Sequence, residues 1–391
     1  MAVSKVKKKP ATKVKKLVSK ISRVKKTPRK YTKRKKVLKP KVVVEKPIPN
    51  LDKVVFLERH VRNPIIEPRE VNSWESKATF NPTALYKDEM VHVIYRAVGS
   101  DDVSRLGYAK SNDGLNFYHD LKDLCYFAPG HDIPDYDLDK LEYSSGGGGM
   151  GGCEDPRITE IDGKVYMLYT AFDGWGSIRI ALTHISLEDF LSNKWNWSKP
   201  VYISKPGEIN KNWVLFPEKV NGMYAIIHSV SPTIQVEYFD SLDMLDGTYF
   251  IESTPPFGGR KNAWDNKMRG VGPSPIKTKF GWLLLYHAMD MRDPNRYKIG
   301  AMILDLENPE KVLYRSAYPV LEPDAHYENE GFKRGVIYSC GAIVKNKDIY
   351  IYYGGADMVS CVATANLDTF IKKIISGNKT KLITKRKKKK K

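Results

Sequence analysis

The chain has 391 residues, of which 41% are hydrophobic and 11% aromatic, enough for one large globular domain or two ordinary ones. Its formal net charge of +20 is concentrated at the two ends, because residues 1–46 hold 20 Lys or Arg and one acid, and Lys385–Lys391 add seven more positive charges. The residues between these two ends carry a net charge of −6, so the positive charge belongs to the ends of the chain and not to its body.

The sequence argues against a membrane-spanning, secreted or zinc-stabilised protein. It contains no run of 18 apolar residues, and its start lacks the apolar segment of a secretory signal. Its four cysteines, Cys125, Cys153, Cys340 and Cys361, show no CxxC or Cys/His ligand spacing, so we expect no metal site. Such sparse use of cysteine suggests a reducing, intracellular compartment, and we expect a cytoplasmic protein.

Residues 1–47 are rich in Lys and Arg and cannot bury enough apolar surface to fold, so they are predicted to be a disordered tail. Three functions compete for this tail: binding of nucleic acid through counterion release, nuclear targeting, and adhesion to an anionic surface. The alternative is a solubilising tail without a specific partner. Residues 379–391 form a second basic tail of the same kind, which leaves 48–378 as the folded domain.

Five segments of this domain share one pattern, a turn followed by an apolar run that ends in an aromatic residue or His. They are Lys87–Ala97, Ile161–Ala171, Val220–Val230, Lys279–Met289 and Lys345–Ala356. Their aligned positions are Tyr95, Tyr169, His228, Tyr286 and Tyr353, spaced by 74, 59, 58 and 67 residues. Each run lies between further short strands, and repeated sets of strands at this period are typical of propeller blades. The pattern predicts an all-β, five-bladed β-propeller with few helices, such as a short one within 186–192. A β-sandwich would explain the strands but not their recurrence.

The first strand of each repeat begins at a distinctive short motif, which we call its opening. The five openings are Asn81-Pro82, Asp155-Pro156, Phe216-Pro217, Gly272-Pro273 and Ser339-Cys340-Gly341. Because the innermost strands of a propeller surround a central channel, the openings are expected to gather around one funnel, where ligands bind by default. Polar residues also follow the second strands, namely Arg96, His287 and Asp357.

The stretch Gly146–Arg157, GGGGMGGCEDPR, leads into the second opening. Its glycines lose much backbone entropy when they become ordered, so we expect a flexible loop there. This loop could act as a lid over a bound ligand. The alternative is a surface linker with a local pair between Arg157 and a carboxylate. The propeller arrangement favours a site, because it aims Asp155 into the funnel.

Several ordered segments resemble glycoside hydrolase family 130, the β-mannoside phosphorylases and related β-mannosidases. The matching pieces span roughly residues 75–370 and are FNPTAL (Phe80–Leu85), IYRA (Ile94–Ala97), GGCEDPRI (Gly151–Ile158), LFPEKVNGMYAIIH (Leu215–His228), WDNKMRGVGPSPI (Trp264–Ile276), GWLLLYH (Gly281–His287), YKIGAMILDLENPEKV (Tyr297–Val312), EGFKRGVIYSCGAI (Glu330–Ile343) and IYYGGAD (Ile351–Asp357). The family fold is a five-bladed propeller, in agreement with the repeat count.

The resemblance implies a role for each site residue. Asp155 would be the general acid that helps to expel the leaving sugar, with its proton passing through a hydroxyl of the bound mannose. Asn81, Arg96 and Asp357 would hold the mannosyl unit. Inorganic phosphate would be the co-substrate and nucleophile, held by Lys211, Arg269, His287 and Tyr297, and no other cofactor is implied. The partner would then be a β-mannoside or a manno-oligosaccharide, cleaved with inversion.

The sequence departs from the phosphorylase pattern at two cationic positions. Ser229 stands after His228 where phosphorylases of the family usually carry Arg, and Met268 stands where they carry Lys, flanked by Lys267 and Arg269. A one-residue shift to Arg269 or Lys267 would compensate. Hydrolysis is the alternative within the family, and it needs a base, for which Glu218, Glu237 and Asp265 are candidates. A second alternative is a catalytically inactive propeller that binds glycans or, through its tails, nucleic acid.

Overall fold

The computed structural model describes residues 54–118, 124–126, 151–172, 178–254 and 258–387, all within the unit Lys53–Lys391. Strands dominate this part of the chain and helices are few, as the alternating apolar runs predict. The fold is therefore all-β in its main elements. The N-terminal tail predicted at 1–47 and the glycines that precede Gly151 lie outside the described residues, and so do residues 388–391.

One eight-stranded sheet contains the first two sequence repeats. After a short strand β1 (Glu58–Arg59), the first repeat supplies β2 (Ala78–Lys87), β3 (Met90–Val98), β4 (Ser104–Ser111) and β5 (Leu124–Tyr126). The second repeat supplies β6 (Gly152–Ile161), β7 (Lys164–Phe172), β8 (Ile178–Ser186) and β9 (Val201–Tyr202). Strands within a repeat pair antiparallel in chain order, and one parallel residue pair, Ser104 with Gly152, joins β4 to β6.

Each of the other three repeats forms a separate antiparallel sheet. Their strands are β10 (Val214–Leu215), β11 (Tyr224–Ser229) and β12 (Gln235–Phe239), then β13 (Lys267–Val271), β14 (Ile276–Thr278), β15 (Gly281–Asp290), β16 (Asp293–Leu304) and β17 (Val312–Arg315), and finally β18 (Ile337–Lys345), β19 (Asp348–Gly355) and β20 (Val359–Asn366). Strand β1 pairs antiparallel with β20, so the first strand of the described chain completes the sheet of the last repeat.

The aligned aromatic residues of the repeats are buried between the sheets. Three of the tyrosines donate their hydroxyls to fully buried carboxylates: Tyr95 to Glu75 (2.7 Å), Tyr286 to Asp265 (2.8 Å) and Tyr353 to Glu328 (2.8 Å). Each of these carboxylates also pairs with an arginine, so its buried charge is compensated. The recurrence found in the sequence thus marks a repeated packing unit.

The described residues form three α-helices, of which the sequence predicted only the first. Helix α1 (Leu187–Leu191) lies within the predicted 186–192 and is capped by Ser186, whose hydroxyl accepts from the Asp189 N–H at 3.1 Å. A four-residue helix α2 (His326–Asn329) precedes β18. Helix α3 (Leu367–Lys387) was not predicted.

Helix α3 passes residue 378, where we expected the folded domain to end. Phe370, Ile371 and Ile374 are fully buried on one face of its first half and anchor it to the sheets. No proline interrupts the segment, so the helix propagates past this anchor, and residues 379–387 of the predicted disordered tail are helical.

Candidate active site

Two β-bulges turn polar side chains out of the first strands of the first two repeats. The β2–β3 register shifts at Asn81-Pro82 and the β6–β7 register shifts at Asp155-Pro156. Asn81 and Asp155 have φ values of 51° and 50°, a left-handed conformation that Asn and Asp tolerate better than other non-glycine residues. The two openings are therefore structurally equivalent, and Asn81 Nδ2 donates to Asp155 Oδ1 at 2.8 Å.

The amide oxygen of Asn81 is buried and has no hydrogen-bond partner among the described residues. Gly354 of β19 lies directly against it, and a Cβ at this glycine would fall 2.2 Å from Asn81 Oδ1. The glycine therefore makes room for Asn81, whose amide oxygen keeps an unused acceptor capacity within the described residues.

Arg96, near the end of β3, is 1% exposed and organises the acidic pair of the second opening. Its NH2 atom lies 2.9 Å from Glu154 Oε1, and its NH1 atom lies 3.4 Å from Asp155 Oδ1. The other oxygen of Glu154 lies 3.3 Å from Lys211 Nζ. Glu154 thus holds both Arg96 and Lys211 near the acid. The flexible loop predicted at Gly146–Arg157 is in fact strand β6 from Gly152 onward.

Asp357 follows β19 in a left-handed conformation, with φ of 53°, and is 6% exposed. Burial raises the pKa of its carboxyl to about 6, although the charges of Lys333 and Arg96 oppose the shift, and the nearby Asp155 adds to it. Burial acts in the same direction on Asp155, but there Arg96, Lys211 and Arg157 outweigh it and lower the pKa below its usual value. The site therefore holds two carboxylates whose pKa values are pushed apart.

His287 in β15 is fully buried, and its hydrogen bonds define its tautomer. Its Nε2 accepts from the backbone N–H of Ser339 at 2.9 Å, so the proton of the neutral ring lies on Nδ1. Nδ1 has no partner among the described residues. Burial and the charge of Arg157 lower the pKa of His287 to about 3, so the ring is neutral and presents one unused donor.

Arg269 and Tyr297 approach from the fourth repeat. Arg269 Nε donates to the hydroxyl of Tyr297 at 3.2 Å, and the Tyr297 ring lies 5.9 Å from that of His287. Burial raises the pKa of Tyr297, while Arg269 lowers it and Asp357 and Asp155 add to the rise. These interactions bring all eight residues singled out in the sequence into one connected group.

Three further residues belong to this group, although the sequence analysis gave them no role in a site. Arg157, Asn212 and Tyr338 are buried and bound to one another beneath the acid. Their signal in the sequence was proximity alone, because each lies next to, or two residues from, a predicted site residue or opening.

The three candidate bases for hydrolysis have other partners. Asp265 is fully buried between Arg260, Arg315 and Tyr286. Glu218 pairs with Lys277 at 2.6 Å, and Glu237 accepts from Tyr249 at 2.9 Å. None of these contacts places a carboxylate beside Asp155.

Within the described ranges, no group of three or more His, Cys, Asp or Glu side chains could hold a metal ion. The four cysteines, all within the described residues, are buried and form no disulfide bond. No described helix is long and apolar enough to cross a membrane.

Comparison with known proteins gives consistent results. The chain matches the family model described as β-1,4-mannooligosaccharide phosphorylase over residues 56–375. It is 38% identical over 321 residues to a 1,2-β-oligomannan phosphorylase of Thermoanaerobacter sp. (strain X514), which covers 79% of this chain and 97% of the relative. It is 35% identical over 316 residues to a β-1,2-mannobiose phosphorylase of the same organism, covering 77% and 94%. The solved β-1,2-mannobiose phosphorylase of Listeria innocua has the same fold, with a TM-score of 0.63, 24% identity, and coverage of 82% of this chain and 99% of that one.

Proposed function

The chain belongs to glycoside hydrolase family 130, and we propose that it is a phosphorylase that cleaves β-1,2-mannosidic linkages. The family match spans nearly the whole described chain. The two relatives named above, whose sequences this chain covers almost completely, are phosphorylases of β-1,2-linked mannosides. Substrates would be β-1,2-mannobiose or longer oligomannans, with inorganic phosphate as the co-substrate.

We propose for the fold that the five antiparallel sets are blades of one closed propeller. A cavity of about 350 Å³ is lined by residues of all five repeats, namely Thr83–Tyr86, Ile158–Glu160, Pro217 with Glu218, Pro273–Lys277, and Cys340 with Ala342–Val344. One cavity lined by all five repeats is what a central channel requires. The pairing of β1 with β20 would close the ring.

One observation carries the proposed activity: the acid and an unused neutral donor lie in the same buried group. Asp155 is held by Asn81 and Arg96, and His287 presents an Nδ1–H that has no partner in the part of the chain that the structure describes. Inverting cleavage needs an acid on the leaving-group side and a nucleophile on the opposite face of the sugar ring. When phosphate is that nucleophile, no catalytic base is needed, and the three candidate bases are engaged elsewhere.

The roles of the remaining residues follow from their chemistry. Asn81 Oδ1, Arg96 and the carboxylate of Asp357 offer acceptors and donors for the hydroxyls of the mannosyl unit. Lys211 and Arg269 supply positive charge and His287 a neutral donor for the phosphate oxygens. Inversion at a β-linked carbon gives α-mannose 1-phosphate, with the phosphate oxygen bonded to C1 and the leaving oxygen protonated by way of Asp155.

The depressed pKa of Asp155 must be reversed before it can act as an acid. Its pKa is lowered mainly by Arg96, Lys211 and Arg157, which overcome the effect of burial. A bound phosphate dianion would neutralise part of this positive field, and a nearby negative charge raises a carboxyl pKa. We propose that phosphate binding is what makes Asp155 hold its proton.

The test is product analysis with purified protein. β-1,2- and β-1,4-mannobiose are each incubated with and without phosphate, and the products are followed by ³¹P NMR and sugar chromatography. We expect α-mannose 1-phosphate from the β-1,2 substrate only when phosphate is present. Free mannose at equal rates with and without phosphate would show a hydrolase, a class the family also contains. No product under any condition would refute an enzymatic function.

A further inference from the structure

The buried guanidinium of Arg157 connects four of the five sequence repeats. It is 2% exposed, and all its hydrogen-bond acceptors are neutral. They are the carbonyl oxygens of Asp155 (2.8 Å), Gly272 (2.9 Å) and Val271 (3.3 Å), Asn212 Oδ1 (3.0 Å) and the Tyr338 hydroxyl (3.0 Å). Arg157 therefore fixes the main chain of the acid against the third, fourth and fifth repeats.

Asn212 is the second member of this cluster and the point where its contacts converge. Its Oδ1 accepts from both Arg157 and the Tyr338 hydroxyl, and its Nδ2 donates to the carbonyl of Arg269 at 3.1 Å. It has φ of 67° and directly follows Lys211. Gly270 packs so closely that a Cβ there would fall 2.4 Å from Asn212 Nδ2.

Tyr338 is the third member, and it connects the cluster to His287. The two rings stack with centroids 4.0 Å apart and planes 11° apart. The next residue, Ser339, donates its N–H to His287 Nε2 and so sets the tautomer. The orientation of the unused Nδ1 donor thus depends on the placement of Tyr338.

We propose that Arg157, Asn212 and Tyr338 form a positioning cluster that holds the phosphate-side residues in register with the acid. The contacts reach Asp155 through its carbonyl, Lys211 through the chain, Arg269 through its carbonyl and His287 through the stacked ring. The hydrogen bonds of all three go to other protein groups, so we assign them a role that acts through those residues. The proposal rests on the proposed phosphorolysis.

The cluster has a kinetic signature that a general structural role lacks. The sugar is held by Asn81, Arg96 and Asp357, whereas the cluster orients the cationic and neutral donors meant for phosphate. Loosening it should therefore raise the KM for phosphate more than the KM for the mannoside. A mere loss of stability would affect both constants alike or neither.

The experiment compares Tyr338→Phe with a matched control, Tyr352→Phe. The first change keeps the ring stacked on His287 and removes only the hydroxyl that binds Arg157 and Asn212. The second removes another buried hydroxyl from the same repeat, where it donates to the Gly114 carbonyl at 2.9 Å. Phosphorolysis of β-1,2-mannobiose is measured against phosphate and against sugar, with melting temperatures recorded for both variants.

For Tyr338→Phe we expect the KM for phosphate to rise about threefold to tenfold, because the hydroxyl's two hydrogen bonds, from Arg157 and to Asn212, are lost. The KM for mannobiose should stay within about twofold of wild type. Tyr352→Phe should change neither. Arg157→Lys, which lacks the planar fork, should also raise the KM for phosphate and lower kcat. Equal kinetic constants for Tyr338→Phe and Tyr352→Phe, in a wild-type protein that does form mannose 1-phosphate, would overturn this proposal alone. A wild-type protein that forms none would overturn the proposed function as well.

Discussion

Asp357→Asn tests whether the buried carboxylate of Asp357, when ionised, lowers the free energy of unfolding. Asp357 is buried, lies in a left-handed conformation and has a pKa raised to about 6 by burial. A carboxyl whose pKa is higher in the folded state than in the unfolded state contributes stability below the unfolded pKa. That contribution is lost as the pH rises through the folded pKa. Wild-type protein should therefore lose stability between about pH 4 and pH 7 from this group.

The magnitude follows from the shift. A rise from the ordinary 3.8 to about 6 is roughly two pKa units, or about 3 kcal/mol at 1.36 kcal/mol per unit. Asparagine has nearly the same shape and does not ionise, so it avoids this cost. We expect Asp357→Asn to be more stable than wild type by up to about 3 kcal/mol at pH 8, and to lose this advantage near pH 4. Its phosphorolysis should fall, because a carboxylate meant for sugar hydroxyls is gone.

The assay is denaturant unfolding of both proteins at several pH values between 4 and 8, with kinetics at pH 7. Asp155→Asn is the matched control with the opposite sign. Since the pKa of Asp155 is lowered by Arg96 and Lys211 despite burial, its charge stabilises the fold above the unfolded pKa, and the variant should be the less stable one at pH 8. A stability difference for Asp357→Asn that stays constant with pH, or that favours wild type at pH 8, would refute the reasoning.

Three further changes test other parts of the site. Asp155→Asn should lower kcat by about 10²–10⁴-fold if this residue is the acid, and an active variant would remove it from that role. Gly354→Ala should push Asn81 aside and lower kcat/KM for the mannoside by about 10²-fold, with phosphate KM as the internal control. His287→Ala should raise the KM for phosphate about tenfold or more. In the wild-type protein, the KM for phosphate should show no inflection from an imidazole between pH 5.5 and 8, because His287 Nε2 accepts from the Ser339 N–H. Phosphate and Asp357 also titrate in this range, so only an inflection that His287→Ala removes would mean that His287 binds phosphate as a cation.

The sequence was informative wherever a residue type is forced by local geometry. The openings Asn81-Pro82 and Asp155-Pro156 stood out because few residues other than Asn, Asp and Gly accept a left-handed bulge, and the structure places both in bulges. The recurrent tyrosines stood out for a similar reason, since each fills the same packed position. Such patterns can be recognised in the sequence because the local structure at each of these positions accepts only a few residue types.

Other features depend on contacts between distant parts of the chain and could not be predicted. Arg157 donates to Asn212, 55 residues later in the chain, and to Tyr338, 181 residues later. No local sequence pattern specifies either contact. The tautomer of His287 depends on the backbone of Ser339, 52 residues later. Helix α3 was not predicted, because its second half is basic like a disordered tail, while burial of Phe370, Ile371 and Ile374 holds its first half in place.

Of the two substitutions that cast doubt on phosphorolysis, Met268 has a structural explanation in the fourth repeat. The register of β13 with β15 shifts between Met268 and Gly270, so Arg269 is the bulged residue. Met268 points into the core and is 1% exposed, whereas Arg269 is exposed and donates to the Tyr297 hydroxyl. A cation displaced by one residue along a regular strand would face the wrong side, but a bulge re-aims the side chain at this point. We infer that Arg269 supplies the charge that Met268 lacks, and Arg269→Met should therefore raise the phosphate KM, while Lys267→Met leaves it unchanged.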